Sequence, residues 1–140
     1  MTGPITLHAT CVAVEGRACL ITGPSGSGKS ALALQMMALG ARLVADDRVT
    51  LSLVDGALRA TCPAPIRGMI EARGLGLLNA DALEGAEPVL TVDLSRQETE
   101  RLPPQREVDY LGHRIALVFG LPAPHFPASL LLYLRAGRRE

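Results

Sequence analysis

Short runs of β-branched and apolar residues, separated by glycine-containing turns, dominate this chain, and two stretches of helix formers interrupt them. Ile5 to Val14 is such a run. Glu15-Gly16-Arg17 breaks it and Ala18 to Thr22 resumes it, which predicts a hairpin feeding a glycine-rich segment. From Lys29 to Leu39 the strong helix formers Ala, Leu, Gln and Met predict a helix, and Gly40 supplies its stop. Arg42 to Ala45 is a short strand ended by Asp46-Asp47. Val49 to Val54 alternates apolar and polar positions, Asp55-Gly56 turns, and Leu58 to Cys62 returns as the second arm of another hairpin. In Met69 to Leu78, charge and glycine interrupt an apolar segment, and Val89 to Leu94 reads as a further strand. Ser95 to Asp109 is polar and carries Pro103-Pro104, which predicts a mobile loop. Arg114 to Phe119 reads as the last strand. Ala128 to Arg138 reads as a terminal helix, with Pro127 near its start and Arg135, Arg138 and Arg139 near its negative end. No repeat or linker is visible. The pattern predicts one α/β domain over residues 1–140, with a mixed sheet in which hairpins flank a short parallel core.

Composition narrows this picture only a little. A chain of 140 residues with 48% hydrophobic content is long enough to bury a core without disulfides or metals. With Tyr 2, Phe 2 and Trp 0, that core has to be built from Leu, Val, Ile and Ala. Lys+Arg and Asp+Glu are both 14, so no net charge favours nucleic acid or an anionic membrane as a partner. Cys11, Cys19 and Cys62 show no paired or metal-ligand spacing and read as small apolar residues of a reducing compartment. No apolar run reaches the ~20 residues that span a bilayer, and the N-terminus lacks a signal-peptide pattern, so a cytoplasmic protein is expected.

The chemistry starts at Gly23-Pro24-Ser25-Gly26-Ser27-Gly28-Lys29-Ser30, a full match to G-x-x-x-x-G-K-[ST] placed between an apolar strand and a helix. Glycines at 23, 26 and 28 leave room for phosphate oxygens to approach backbone N–H groups at the positive end of the following helix. Helix-end attraction contributes only about 0.3–2 kcal/mol, so Lys29 and Mg²⁺ must carry much of the charge neutralisation, with the Ser30 hydroxyl as a magnesium ligand. This P-loop predicts nucleotide binding and leaves the reaction open.

Four other features bear on the reaction. Asp46 and Asp47 end the strand that follows the P-loop helix, beside the expected phosphate site. Two carboxylates there can divide the labour, one orienting charge and one accepting a proton from an attacking hydroxyl; the alternative is a solvated strand-end turn. Glu71 and Arg73 would share a face of an extended segment. They suit either a magnesium shell with a charge-stabilising arginine or a surface ion pair. His8, mid-strand, reads more simply as packing, and Arg101 as a solvated charge.

Taken together, His8-Ala-Thr, Leu20 through Ser30, Gly40-Ala-Arg-Leu-Val-Ala-Asp-Asp47 and Ile70-Glu-Ala-Arg-Gly-Leu-Gly76 resemble the catalytic domain of HPr kinase/phosphorylase over roughly residues 7–79. The resemblance implies ATP-dependent phosphorylation of a seryl residue on an HPr-type phosphocarrier, with Mg²⁺, and a reverse phosphorolysis. It implies that Lys29 and Ser30 keep their phosphate and magnesium roles, that Glu71 is the second magnesium ligand and that Asp47 is the proton acceptor. It also implies that His8 belongs to the active site, that Arg101 is the catalytic arginine, and that the protein assembles as a hexamer. The chain departs from the family's pattern in beginning just before the catalytic domain and in carrying Pro24 where many members have Asp. It also lacks, in Gly120 to Pro127, the proline- and arginine-rich segment associated with dephosphorylation. Two other readings of the same residues are a small-molecule P-loop kinase, with the arginines between Arg96 and Arg114 as a lid, and a non-catalytic nucleotide sensor.

Overall fold

A computed structural model describes residues 3–140; Met1 and Thr2, part of the stretch read for a leader, lie outside the described residues. The elements run β1 (Ile5–Leu7), β2 (Ala9–Val14), β3 (Arg17–Thr22), α1 (Lys29–Ala38), β4 (Arg42–Ala45), β5 (Val49–Val54), β6 (Ala57–Thr61), β7 (Met69–Ala72), β8 (Gly76–Asn79), β9 (Glu87–Gln97), β10 (Arg106–Tyr110), β11 (His113–Gly120) and α2 (Phe126–Ala136). A six-stranded sheet of order β10-β11-β9-β3-β2-β4 forms the middle layer. Its β11, β9 and β3 are parallel, and the remaining neighbours pair antiparallel. The mixed sheet with a short parallel centre is thus as the hydrophobic pattern predicts. Because β2 lies antiparallel between β3 and β4, the crossover through α1 returns β4 parallel to β3, and both strands end at the same edge.

Alternation along β2 and β3 explains the layers. Val12, Val14, Cys19 and Ile21 face α1 and α2, packing with Leu32, Met36, Leu130 and Leu134. Ala9, Cys11, Ala13, Ala18 and Leu20 face the opposite way, onto Val49, Leu51, Leu58 and Ala60 of a three-stranded sheet of order β1-β5-β6. All six residues of β2 are buried, which is why the strand is apolar on both faces. Each fully buried Leu, Ile or Val contributes ~1.5–3 kcal/mol, so this aliphatic core is sufficient without aromatics.

Several turns follow from sequence. Glu15-Gly16 (φ 53 and 78) and Asp55-Gly56 (φ 52 and 78) are two-residue connections with both central residues left-handed, the form whose twist matches flanking strands. Leu111-Gly112 (φ 54 and 84) makes a third such hairpin between β10 and β11. That hairpin corrects the expected mobile loop over Ser95 to Asp109. β9 extends to Gln97 and β10 begins at Arg106, leaving only residues 98–105 as a connection. The charged, half-buried pattern of β10 is that of an edge strand, on which polar residues need no core partner. Glu98 at the start of this connection accepts a 2.6 Å hydrogen bond from Arg106, which holds its carboxyl below the usual range. The expected first strand is also divided. At His8 the chain leaves the three-stranded sheet, where β1 pairs with β5, and enters the six-stranded sheet as β2. The terminal helix starts two residues earlier than predicted, and Arg17 Nε donates to the Leu134 carbonyl near its end at 2.6 Å. No described helix is long and apolar enough to cross a membrane.

Burial pushes the Cys19 thiol up from 9.0 to about 12 and raises that of Cys11 as well. Both therefore stay protonated in the folded protein at neutral pH. Above pH 9 the unfolded chain loses these protons first, so stability falls as pH rises from that point toward the folded values. At neutral pH a maleimide should label one thiol, the partly exposed Cys62, and all three after denaturation; two or more rapid labels in the native protein would contradict this burial.

Candidate active site

The P-loop leaves β3 at Thr22 and enters α1 at Lys29. Gly23 has to be glycine, since a Cβ there would lie 2.6 Å from Ser27 Oγ at φ +147. Gly28 caps α1 with φ 98, contributes no side-chain cap, and is followed by a first turn without acidic residues. Nothing in that turn neutralises the N–H groups of the helix start, which is the arrangement that binds an anion. Lys29 is the chain's single lysine and is only 8% exposed. Its Nζ donates to the carbonyls of Gly23 (2.9 Å) and Pro24 (3.1 Å) and joins none of the ion pairs among the described residues. A buried ammonium balanced only by neutral carbonyls favours an incoming negative charge.

The two adjacent aspartates have opposite surroundings. Asp46 is 7% exposed and accepts three hydrogen bonds from three different elements. Thr10 Oγ1 of β2 and Ser30 Oγ of α1 donate to its Oδ1 at 2.8 and 2.7 Å, and the Glu71 N–H of β7 donates to its Oδ2 at 2.9 Å. Asp47 turns the other way. Its backbone is left-handed at φ 73, its side chain is 63% exposed, and its Oδ1 lies 2.9 Å from His8 Nε2. Such a conformation in a non-glycine residue costs of order 1–3 kcal/mol and recurs at functional sites. Arg48, 4.0 Å from its other oxygen, is itself largely exposed.

Glu71 therefore meets this cluster through its backbone, with its side chain exposed. The expected alternation with Arg73 does not continue. β7 ends at Ala72, and Arg73 sits in the turn closed by Leu75 N–H to the Ala72 carbonyl at 2.9 Å, so the two do not share a strand face. Arg101 lies exposed in the 98–105 connection and makes no hydrogen bond or ion pair with the cluster among the described residues. Of the arginines expected as a metabolite lid, Arg101 is the one just described, and the others make contacts within the sheet. Arg96 and Arg106 stack on Phe119 at 5.5 and 4.1 Å, Arg106 pairs with Glu98, and Arg114 is a strand residue near Glu107.

Two residues escaped the sequence reading. Thr10, fully buried in an otherwise apolar strand, is a polar outlier that marks the cluster. Asp93, opposite Thr22 on β9, accepts hydrogen bonds from the Ser95 N–H (2.9 Å) and hydroxyl (2.6 Å) and orders the strand end beside the loop.

Comparison with known proteins points to one family. The profile of the HPr Serine kinase C-terminal domain matches residues 1–103. The HPr kinase/phosphorylase of Clostridium novyi is 44% identical over 109 residues, which are 76% of this chain and 35% of that protein. The protein of the same name from Xanthomonas campestris pv. campestris is 39% identical over 107 residues, 71% of this chain and 34% of that one. The chain thus spans about a third of the length of these relatives. A solved structure, the Hpr(Ser) kinase/phosphatase from Coxiella burnetii, superposes with a TM-score of 0.79 over 94% of this chain and 88% of that one, at 23% identity, and shows the shared fold. The chain belongs to the HPr serine kinase C-terminal domain family.

Proposed function

We propose that this chain catalyses ATP-dependent phosphorylation of a serine on an HPr-type phosphocarrier protein, as the names of its relatives suggest. The observation that carries this reading is the division between Asp46 and Asp47. One carboxylate is buried and saturated with donors; its neighbour is exposed, paired with His8 and reachable by a hydroxyl carried on another protein.

In this account the P-loop backbone and Lys29 hold the triphosphate of ATP. The residues fit Mg²⁺ as well. Ser30 Oγ donates its hydrogen bond to Asp46, which leaves its lone pairs for a cation. Among the described residues no three His, Cys, Asp or Glu side chains converge into a metal cage. Magnesium would therefore be held by Ser30 and a carboxylate such as Glu71 with phosphate oxygens and water, its usual manner at phosphoryl-transfer sites. Bound there, the ion would neutralise charge on the phosphates. Asp46 positions Ser30, Thr10 and the β7 backbone. Asp47 accepts the serine proton as the hydroxyl oxygen attacks the terminal phosphorus, and the bond from that phosphorus to the bridging oxygen of ADP breaks. His8 orients the Asp47 carboxylate, and Arg101 or Arg73 reaches the transferring group once the carrier is docked. Three free cysteines suit a cytoplasmic setting, and assembly as a homo-oligomer, a hexamer by family resemblance, completes the proposal.

Incubation with labelled ATP, Mg²⁺ and an HPr-type carrier should place label on a carrier serine. Label on a small metabolite instead, or ATP binding with no turnover at all, would contradict the proposal and favour a metabolite kinase or a nucleotide sensor. The Asp47→Asn variant should lose about 10²–10⁴-fold in transfer, the range of a positioned base, while its affinity for ATP stays within about twofold of wild type, a change under ~0.5 kcal/mol. Retained turnover would place the base elsewhere.

A further inference from the structure

The connection between β9 and β10, residues 98–105, is fastened at three points although its composition suits a mobile loop. β9 and β10 are not neighbours. β11 lies between them, so the chain crosses the end of β11 to reach the outer strand. Two strand spacings are ~10 Å, whereas the eight residues 98–105 can reach ~26 Å. The excess length forms a tip, bent at Arg101 and Leu102, whose side chains are exposed. The first fastening joins the two ends. Glu98 follows the last residue of β9, Arg106 is the first of β10, and their side chains pair at 2.6 Å. With side chains only 10% and 24% exposed, this pair differs from the solvated ion pairs among the described residues. Glu98 Oε2 accepts the N–H groups of Thr99 and Glu100 at 3.1 and 3.2 Å, and Arg106 lies over the Phe119 ring. The second fastening is the Glu98 N–H, which donates at 2.9 Å to the Gly120 carbonyl on the strand being crossed. The third comes from the far end of the chain. Gly137 (φ 74) ends α2, and Arg138 beyond it donates from Nη2 to the Pro103 carbonyl. α2 is itself held in the core by Leu130, Leu131 and Leu134.

Position gives these fastenings a use. β9 and β3 run parallel, and this connection follows β9 as the P-loop follows β3, so both leave the sheet at the same edge. Parallel sheets present their ligands at that edge. The tip is thus carried there between a stapled start and a proline pair, fixed in φ, that is tied from the tail. Ordering a polar connection costs conformational entropy, and neither Arg101 nor Leu102 belongs to a core cluster that would require it. What the fastenings limit is the freedom of the tip. A cation that stabilises a transferring phosphoryl group works best when its position is set before the reaction. We infer that Glu98, Arg106 and Arg138 are positioning residues, which hold the 98–105 tip at the phosphate edge so that Arg101 meets the transferring group. This rests on the proposed carrier phosphorylation and deepens it, taking Arg101 rather than Arg73 as the arginine that acts and giving the last residues of the chain a part in transfer.

The test is a double-mutant cycle, read as kcat for phosphorylation of an HPr-type carrier by Mg²⁺-ATP, with ATP affinity measured alongside. Arg138 lies beyond α2 and outside both core clusters, so Arg138→Ala leaves the core intact. It should lower kcat about 10- to 100-fold, the cost of a small misplacement, while ATP affinity stays within about twofold of wild type. Arg138→Lys, which keeps a donor for the Pro103 carbonyl, should recover most of the loss. Glu98→Gln, which keeps the size of the side chain and removes the charge that Arg106 meets, should lower kcat in the same way. In an Arg101→Ala background neither Arg138→Ala nor Glu98→Gln should cost anything further, because both act through Arg101. Equal losses in the two backgrounds would reduce the fastenings to a general structural role and overturn the assignment. Unchanged kcat in Arg138→Ala or in Glu98→Gln would overturn it too, as would full turnover in Arg101→Ala. If wild type binds ATP and places no label on the carrier, the proposed carrier phosphorylation itself fails, and the positioning role falls with it.

Discussion

A single buried carboxylate ties together the edge of this fold that carries the candidate site. Asp46 takes a proton donor from a strand of the central sheet, another from the first turn of the P-loop helix, and a third from the backbone of the β7–β8 hairpin. Hydrogen bonds to a charged group contribute roughly 1.5–3 kcal/mol each, and removing one partner from a buried network costs the desolvation of what remains. The β7–β8 hairpin forms its own two-stranded sheet, outside both larger ones. The bond from Glu71 N–H fixes β7 by the edge not used in pairing with β8, alongside the packing of Ile70 against the helical face of the core. The Ser30 bond in turn sets the hydroxyl rotor at the head of α1.

The second constraint lies in how the chain changes sheets at His8. β1 belongs to the three-stranded layer and β2 to the central one, so the residue between them sits at the seam, exposed, where the left-handed turn at Asp47 also emerges. Two aliphatic layers, one on each face of the central sheet, hold that seam in place. The candidate site is thus built where β2 and β4 meet the P-loop.

Much of this was legible from local chemistry. The P-loop is a contiguous motif whose glycines are demanded by its own backbone, and the turns at Glu15-Gly16 and Asp55-Gly56 announce themselves by residue type. What was not legible depends on contacts between distant segments. Nothing local distinguishes Asp46 from Asp47; the difference comes from the φ 73 conformation of Asp47 and from donors 36, 16 and 25 residues away from Asp46. The hairpin at Leu111-Gly112 was hidden because β10 is an edge strand with charged residues, next to a proline pair that suggested a loop. Family resemblance supplied roles for His8 and Arg101 that their surroundings alone did not suggest. The fold places His8 against Asp47 and leaves Arg101 exposed in a connection.

The role of Asp46 as the tie among these elements is most directly tested by amide hydrogen exchange at Glu71, read in wild type and in Asp46→Ala. In wild type the Glu71 N–H should be protected, because it points at a buried carboxylate rather than at a neighbouring strand. In the variant that protection should vanish while the β2 and β3 amides of the central sheet stay protected, and affinity for Mg²⁺-ATP should fall in parallel. Unchanged protection of Glu71 in Asp46→Ala, or its loss with no effect on nucleotide affinity, would contradict the account.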